Sequence, residues 1–169
     1  CGGCQIQPLS YEKQLEFKQK KVRNDLQRIG GFSEELLNQI MMPIIGMEEP
    51  WRYRNKAQYP FGVARDGKVV TAFYAGRTHD IIAHTDCLLG AEENQQILEE
   101  ILKYQRETRL SVYDEKTGKG LLRHVLIRKS HKNGALMVCL IINGTKIPEQ
   151  AKLVEHLRTV QGVSSISLN

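Results

Sequence analysis

The chain holds 169 residues, 41% hydrophobic and 25% charged, with 24 basic against 19 acidic side chains, a net charge of +5 and a pI near 9.0. A chain of this length builds one well-cored domain and not two full-size ones, and its composition is that of an ordinary globular protein. Its longest apolar run, Ala135 to Ile142, falls far short of the roughly 20 residues that span a bilayer, so no membrane partner is expected.

Four cysteines without the charged and apolar regions of a signal peptide point to a reducing, cytoplasmic compartment, where metal binding or burial explains thiols better than disulfides do. The basic excess leans mildly toward polyanionic partners such as RNA.

Ser10 can cap a first helix, with Glu12 at its positive end. Tyr11, Leu15, Val22, Leu26 and Ile29 form one apolar stripe, and Gly30-Gly31 ends the helix. Its other faces carry Lys13, Lys18, Lys20, Lys21, Arg23 and Arg28, read as solvated charge. A second helix is expected from Ser33 to Met42, burying Leu36, Leu37, Ile40 and Met41 and stopped by Pro43.

From Trp51 the period becomes two. Trp51, Tyr53, Asn55, Ala57 and Tyr59 alternate with Arg52, Arg54, Lys56 and Gln58, which predicts a strand with cations on one face and core aromatics on the other. Asp66-Gly67 signals a hairpin into a strand over Val69 to Tyr74, and a short strand over Asp80 to His84 leads to Cys87.

A third helix spans Glu92 to Glu107, with Ile97, Leu98, Ile101, Leu102 and Gln105 inward. A polar, mobile link follows from Asp114 to Gly120. Leu121 to Ser130 and Ala135 to Asn143 flank Asn133-Gly134 as a hairpin, the second run apolar enough on both faces to be covered on both. A fourth helix opens at Pro148 and runs to about Val160 with Ala151, Val154 and Leu157 inward, and Val163 to Leu168 is a final strand. The class is α+β: a mainly antiparallel sheet with helices packed against it, built from hairpin, helix and strand units.

Chemistry concentrates in the thiols. Cys1-Gly2-Gly3-Cys4 places two sulfurs three positions apart on a glycine turn able to grip one metal, and Cys87 can supply a third ligand. With His84, three residues before Cys87, these make a closed Cys₃His zinc site, the mark of a zinc-stabilised interaction module with no nucleic-acid role. The alternative is an iron–sulfur cluster whose fourth thiolate lies upstream. Because the chain starts inside this motif, it is expected to be cut from a longer protein. Cys139, within Leu136 to Ile141, reads as a buried small apolar side chain.

Arg52, Arg54 and Lys56 are either an exposed sheet face or a phosphate-contacting surface. Arg123, Arg128, Lys129, His131 and Lys132 form a second basic cluster around the Asn133-Gly134 tip. No phosphate-binding glycine loop, Ser/His/Asp grouping or HExxH spacing occurs, and no catalytic residue is assigned.

The run from Cys1 to Lys18, Arg28-Ile-Gly-Gly31, and Trp51-Arg-Tyr-Arg-Asn-Lys-Ala-Gln58 together resemble the bacterial RNA (uracil-5-)-methyltransferase family, of the type acting on 23S rRNA, over essentially the whole chain. The resemblance implies a central domain, with the family's N-terminal TRAM domain and C-terminal S-adenosylmethionine-binding catalytic domain outside these residues. It implies that Cys1, Cys4 and Cys87 match the second, third and fourth ligands of a [4Fe–4S] cluster, the first lying six residues before Cys1. It implies 23S ribosomal RNA as partner, held by Arg52, Arg54, Lys56, Arg123, Arg128, Lys129 and Lys132 while another domain methylates C5 of a uridine. The chain alone is expected to be inactive.

Overall fold

The structure is a computed structural model that describes residues 3–78, 80–83 and 86–169. The chain divides into two compact units, Gly3–Pro50 and Trp51–Asn169, where the length alone suggested one.

The first unit is a helical hairpin. Helix α1 (Tyr11–Arg28) starts where the Ser10 hydroxyl accepts the Lys13 N–H at 3.3 Å, and α2 (Glu34–Ile40) starts where Ser33 accepts from Leu36 at 3.2 Å. Each hydroxyl satisfies one of the donors that a helix start leaves unpaired. Met47 donates its N–H to the Tyr11 hydroxyl at 2.7 Å and Gln19 donates to the Met42 carbonyl at 3.1 Å, lashing the segment after α2 to α1. The expected burial does not follow. Leu37 is the only buried residue of α2, Leu36 and Ile40 are exposed, and α1 buries none of its stripe. With two helices in the unit, there is too little neighbouring surface to cover them.

The second unit contains the sheet. Strands β1 (Lys56–Val63), β2 (Val69–Tyr74), β3 (Ile81–Ala83), β4 (Leu122–Lys129), β5 (Leu136–Ile142) and β6 (Val163–Leu168) lie in the order β3-β2-β1-β4-β5-β6. All neighbours are antiparallel except β5 and β6, which are joined through helix α4 (Gln150–Arg158) and run parallel. Helix α3 (Glu93–Thr108) joins the β1–β3 part to β4 and packs beside α4.

The core lies between these two helices and one sheet face. Tyr59, Val125, Ile127, Val138 and Leu140 from the strands meet Ile97, Ile101, Tyr104, Leu153 and Leu157 from the helices. Tyr104 was no part of the predicted inner face, yet it is fully buried and its hydroxyl donates to the Pro148 carbonyl. In α4 the inward residues are Leu153 and Leu157, with Ala151 exposed; burial follows the larger leucines.

Strand β5 alternates between buried and half-buried residues, so helices cover only one of its faces. The predicted cover on both sides is not found, and Cys139, on the second face, is half-buried. The polar link near residues 114–120 is tied down, not mobile as expected. Asp114 and Lys119 pair, Asp114 accepts the Gly118 N–H at 2.8 Å, and Asn143 donates to the Gly120 carbonyl at 3.2 Å.

Candidate thiol turn and nucleic-acid interface

The strand expected from Trp51 begins only at Lys56. Arg52 has φ +54°, in the left-handed region that breaks the alternation of an extended chain, so Trp51 to Tyr59 do not share two clean faces. Trp51 and Tyr53 are each 44% exposed and are not the core anchors that alternation predicted, whereas Tyr59 is buried. Burial pushes the Tyr59 phenol up to about 12, against the lowering effect of a hydrogen bond from Asn94 at 3.0 Å.

Arg52 turns away from any strand face and onto the turn that carries Cys87. Its guanidinium donates to both Asp86 carboxylate oxygens at 2.6 and 2.7 Å, to the Cys87 carbonyl at 2.9 Å and to the Gly90 carbonyl at 3.3 Å. The hydrogen bond to Asp86 raises the Arg52 pKa above its ordinary value. The Arg52 backbone N–H donates to Leu88 at 2.8 Å, and the Arg54 N–H donates to Leu89 at 2.9 Å. The turn closes on itself through the Gly90 N–H, which donates to the Cys87 carbonyl at 2.9 Å. A Cβ on Gly90 would meet Asn94 Nδ2 at 2.8 Å and the Tyr59 hydroxyl at 3.3 Å, so a larger residue there would have to displace the Asn94–Tyr59 hydrogen bond at the start of α3. Asp86 is the residue the sequence reading missed. Its one signal was an acid beside a candidate thiol.

Cys4 and Cys87 are half-buried free thiols that belong to different units. Soft, unpaired thiols of this kind fit the ligand chemistry of an iron–sulfur cluster or a zinc ion. Cys1 and His84, the remaining residues of the predicted sites, lie outside the described residues. Among the described residues, no three His, Cys, Asp or Glu side chains gather as a metal site.

The predicted cations separate into two groups. Arg52, Arg123 and Lys129 are engaged within the protein. Arg123 lies 4.3 Å over the Tyr113 ring and donates to Glu115 at 3.1 Å, and Lys129 pairs with Glu93 at 2.5 Å. Burial acts to raise the Glu93 carboxyl, but the Lys129 hydrogen bond, a backbone hydrogen bond and the Lys129 charge together outweigh it and the pKa is lowered. Arg54, Lys56, Arg128 and Lys132 are exposed.

Lys56 and Arg128 are direct partners in the β1–β4 ladder, on the face opposite the buried Ala57 and Ile127. Lys132 stands at the tip of the next hairpin, closed by the Ser130 N–H to the Ala135 carbonyl at 2.9 Å. Among the described residues, none of these four exposed cations forms an ion pair, and free basic side chains are the groups that contact phosphate oxygens.

No protein-family profile matches the chain. It is 41% identical, over its full length, to an uncharacterized RNA methyltransferase of Halalkalibacterium halodurans, of which it covers 36%. It is 42% identical over 94% of its length to one of Bacillus cereus, covering 34%, and 38% identical over its full length to one of Staphylococcus aureus, covering 37%. The chain thus spans about a third of the length of these relatives. Among solved structures, the Pyrococcus abyssi tRNA (uracil-54, C5)-methyltransferase, in complex with S-adenosyl-L-homocysteine, aligns with a TM-score of 0.70 and 24% identity over 90% of this chain and 34% of that one. That likeness shows a shared fold.

Proposed function

Since the chain belongs to the RNA methyltransferase family of these relatives, we propose that it is the RNA-holding central part of an enzyme that methylates C5 of a uridine in 23S rRNA with S-adenosylmethionine as methyl donor. The observation that carries the reading is identity of 41% along the entire chain. The methyl transfer itself falls to a part of the longer protein outside these residues, as does any TRAM domain.

In this reading the RNA backbone lies on Arg54, Lys56, Arg128 and Lys132. Arg52, Arg123 and Lys129 shape the surface from behind through Asp86, Glu115 and Glu93. Cys1, Cys4 and Cys87 would hold a [4Fe–4S] cluster with one thiolate from outside the chain. Such a cluster supplies a crosslink between distant parts of the backbone.

The test is methyl transfer by the full protein to unmodified ribosomal RNA, with digestion to nucleosides and mass spectrometry. 5-Methyluridine formed in 23S rRNA is the expected product. A methyl group on another base, or on tRNA alone, overturns the substrate assignment.

A further inference from the structure

Each of the five residues from Asp86 to Gly90 is held by Arg52 or Arg54. Arg52 takes the Asp86 carboxylate and the Cys87, Leu88 and Gly90 carbonyls, and Arg54 takes the Leu89 carbonyl. Arg52 does this from a left-handed backbone that L residues other than Asn and Asp rarely adopt, and which persists only where the surroundings fix it. The planar guanidinium fork matches the Asp86 carboxylate with two parallel bonds and still reaches two carbonyls. A lysine ammonium cannot reproduce that fork.

We infer that Arg52 is a positioning residue for Cys87, fixing the backbone of the 86–90 turn so that the thiolate is presented to a metal centre in one orientation. The inference rests on the reading of Cys87 as a cluster ligand. It assigns Arg52 to the metal site, although the sequence pattern had placed it among the RNA contacts. Partners one shell out from a metal commonly change its retention by about 10-fold or more when removed.

The experiment compares the full protein, purified without oxygen, with Arg52→Ala, Arg52→Lys, Asp86→Asn and Cys87→Ser variants. Iron and acid-labile sulfide per chain, loss of visible absorption in air, and amide exchange at Arg54 and Gly90 are measured, with circular dichroism to verify the fold. Cys87→Ser is expected to lose the cluster. Arg52→Ala and Asp86→Asn should keep the fold but lose the cluster in air about 10-fold faster and exchange those amides about 10-fold faster, with Arg52→Lys intermediate.

Wild-type cluster lifetimes in Arg52→Ala and Asp86→Asn, beside a Cys87→Ser variant that loses iron, overturn the positioning role and leave the cluster reading standing. A wild-type protein without iron and sulfide overturns both. If Arg52→Ala does not fold, Asp86→Asn decides.

Discussion

Lys56 and Arg128 face each other directly across the β1–β4 ladder, both exposed, and neither forms an ion pair among the described residues. Like charges opposite one another work against the sheet, and an anion laid between them reverses the sign. Replacing both with alanine should therefore leave folding stability unchanged or raise it by about 0.2–0.5 kcal/mol. The same change should weaken RNA binding and lower the slope of log affinity against log salt by about two. Urea unfolding and filter binding at several salt concentrations give the two numbers, and an unaltered slope removes this pair from the interface.

His156 of α4 lies between two glutamates of α3, with Nδ1 2.8 Å from Glu100 and Nε2 3.3 Å from Glu107. The hydrogen bond to Glu100 raises the imidazole pKa. Burial acts to raise the Glu100 carboxyl, but hydrogen bonds from Lys103 and His156 more than offset it, and its pKa is lowered. The imidazolium contribution is thus complete below the unfolded His pKa and is lost as pH climbs through the higher folded value. The carboxylate contribution is lost as pH falls through the depressed Glu100 value. The grip of α4 on α3 should be strongest between about pH 4.5 and 6.5. His156→Gln should flatten the decline of stability above that window at a cost of about 1 kcal/mol within it. Melting curves from pH 5 to pH 8, about the range where imidazole titrates, will show whether wild type and variant converge at the alkaline end.

Tyr104→Phe keeps the ring in the core and removes the one hydroxyl that satisfies the Pro148 carbonyl. A loss of about 1–2 kcal/mol is expected, against about 2–5 kcal/mol for Leu140→Ala, which empties a fully buried site. Chemical denaturation distinguishes the two. A Tyr104→Phe variant as stable as wild type would show that water takes over the carbonyl.

Gly120 has φ +99°, and a Cβ there would sit 2.0 Å from the Val112 carbonyl oxygen. Backbone, not a flexible side chain, is in the way. Gly120→Ala should cost about 2 kcal/mol or more, while Gly118→Ala, at φ +67° with open space around it, should cost less. Equal thermal shifts for the two would contradict the clash.

Local signals in the sequence were faithful wherever one residue satisfies one backbone group. Ser10 and Ser33 cap their helices and Asn133-Gly134 closes its hairpin, whereas α4 already ends at Arg158 with Thr159 as its cap, and Gly162, at φ +90°, instead turns the chain into β6. What the sequence could not reveal was which long-range partner each side chain would take. Arg52 reads as one of three alternating cations until Asp86, thirty-four positions away, captures it. Leu36 and Ile40 obey helical spacing, but spacing says nothing about whether a neighbour exists to bury them. The family resemblance rested on short local runs and agreed with the RNA methyltransferases found at about 40% identity.

The sheet order leaves β6 on an outer flank, six residues long and containing neither lysine nor proline, while the opposite flank, β3, has only three residues. Main-chain donors and acceptors along Val163–Leu168 that point away from β5 have no strand to meet among the described residues. An incoming extended peptide could add to the sheet there with little to repel it, so a charged substitution at Ser165 or Ser167 would be the first place to guard the isolated unit against self-association.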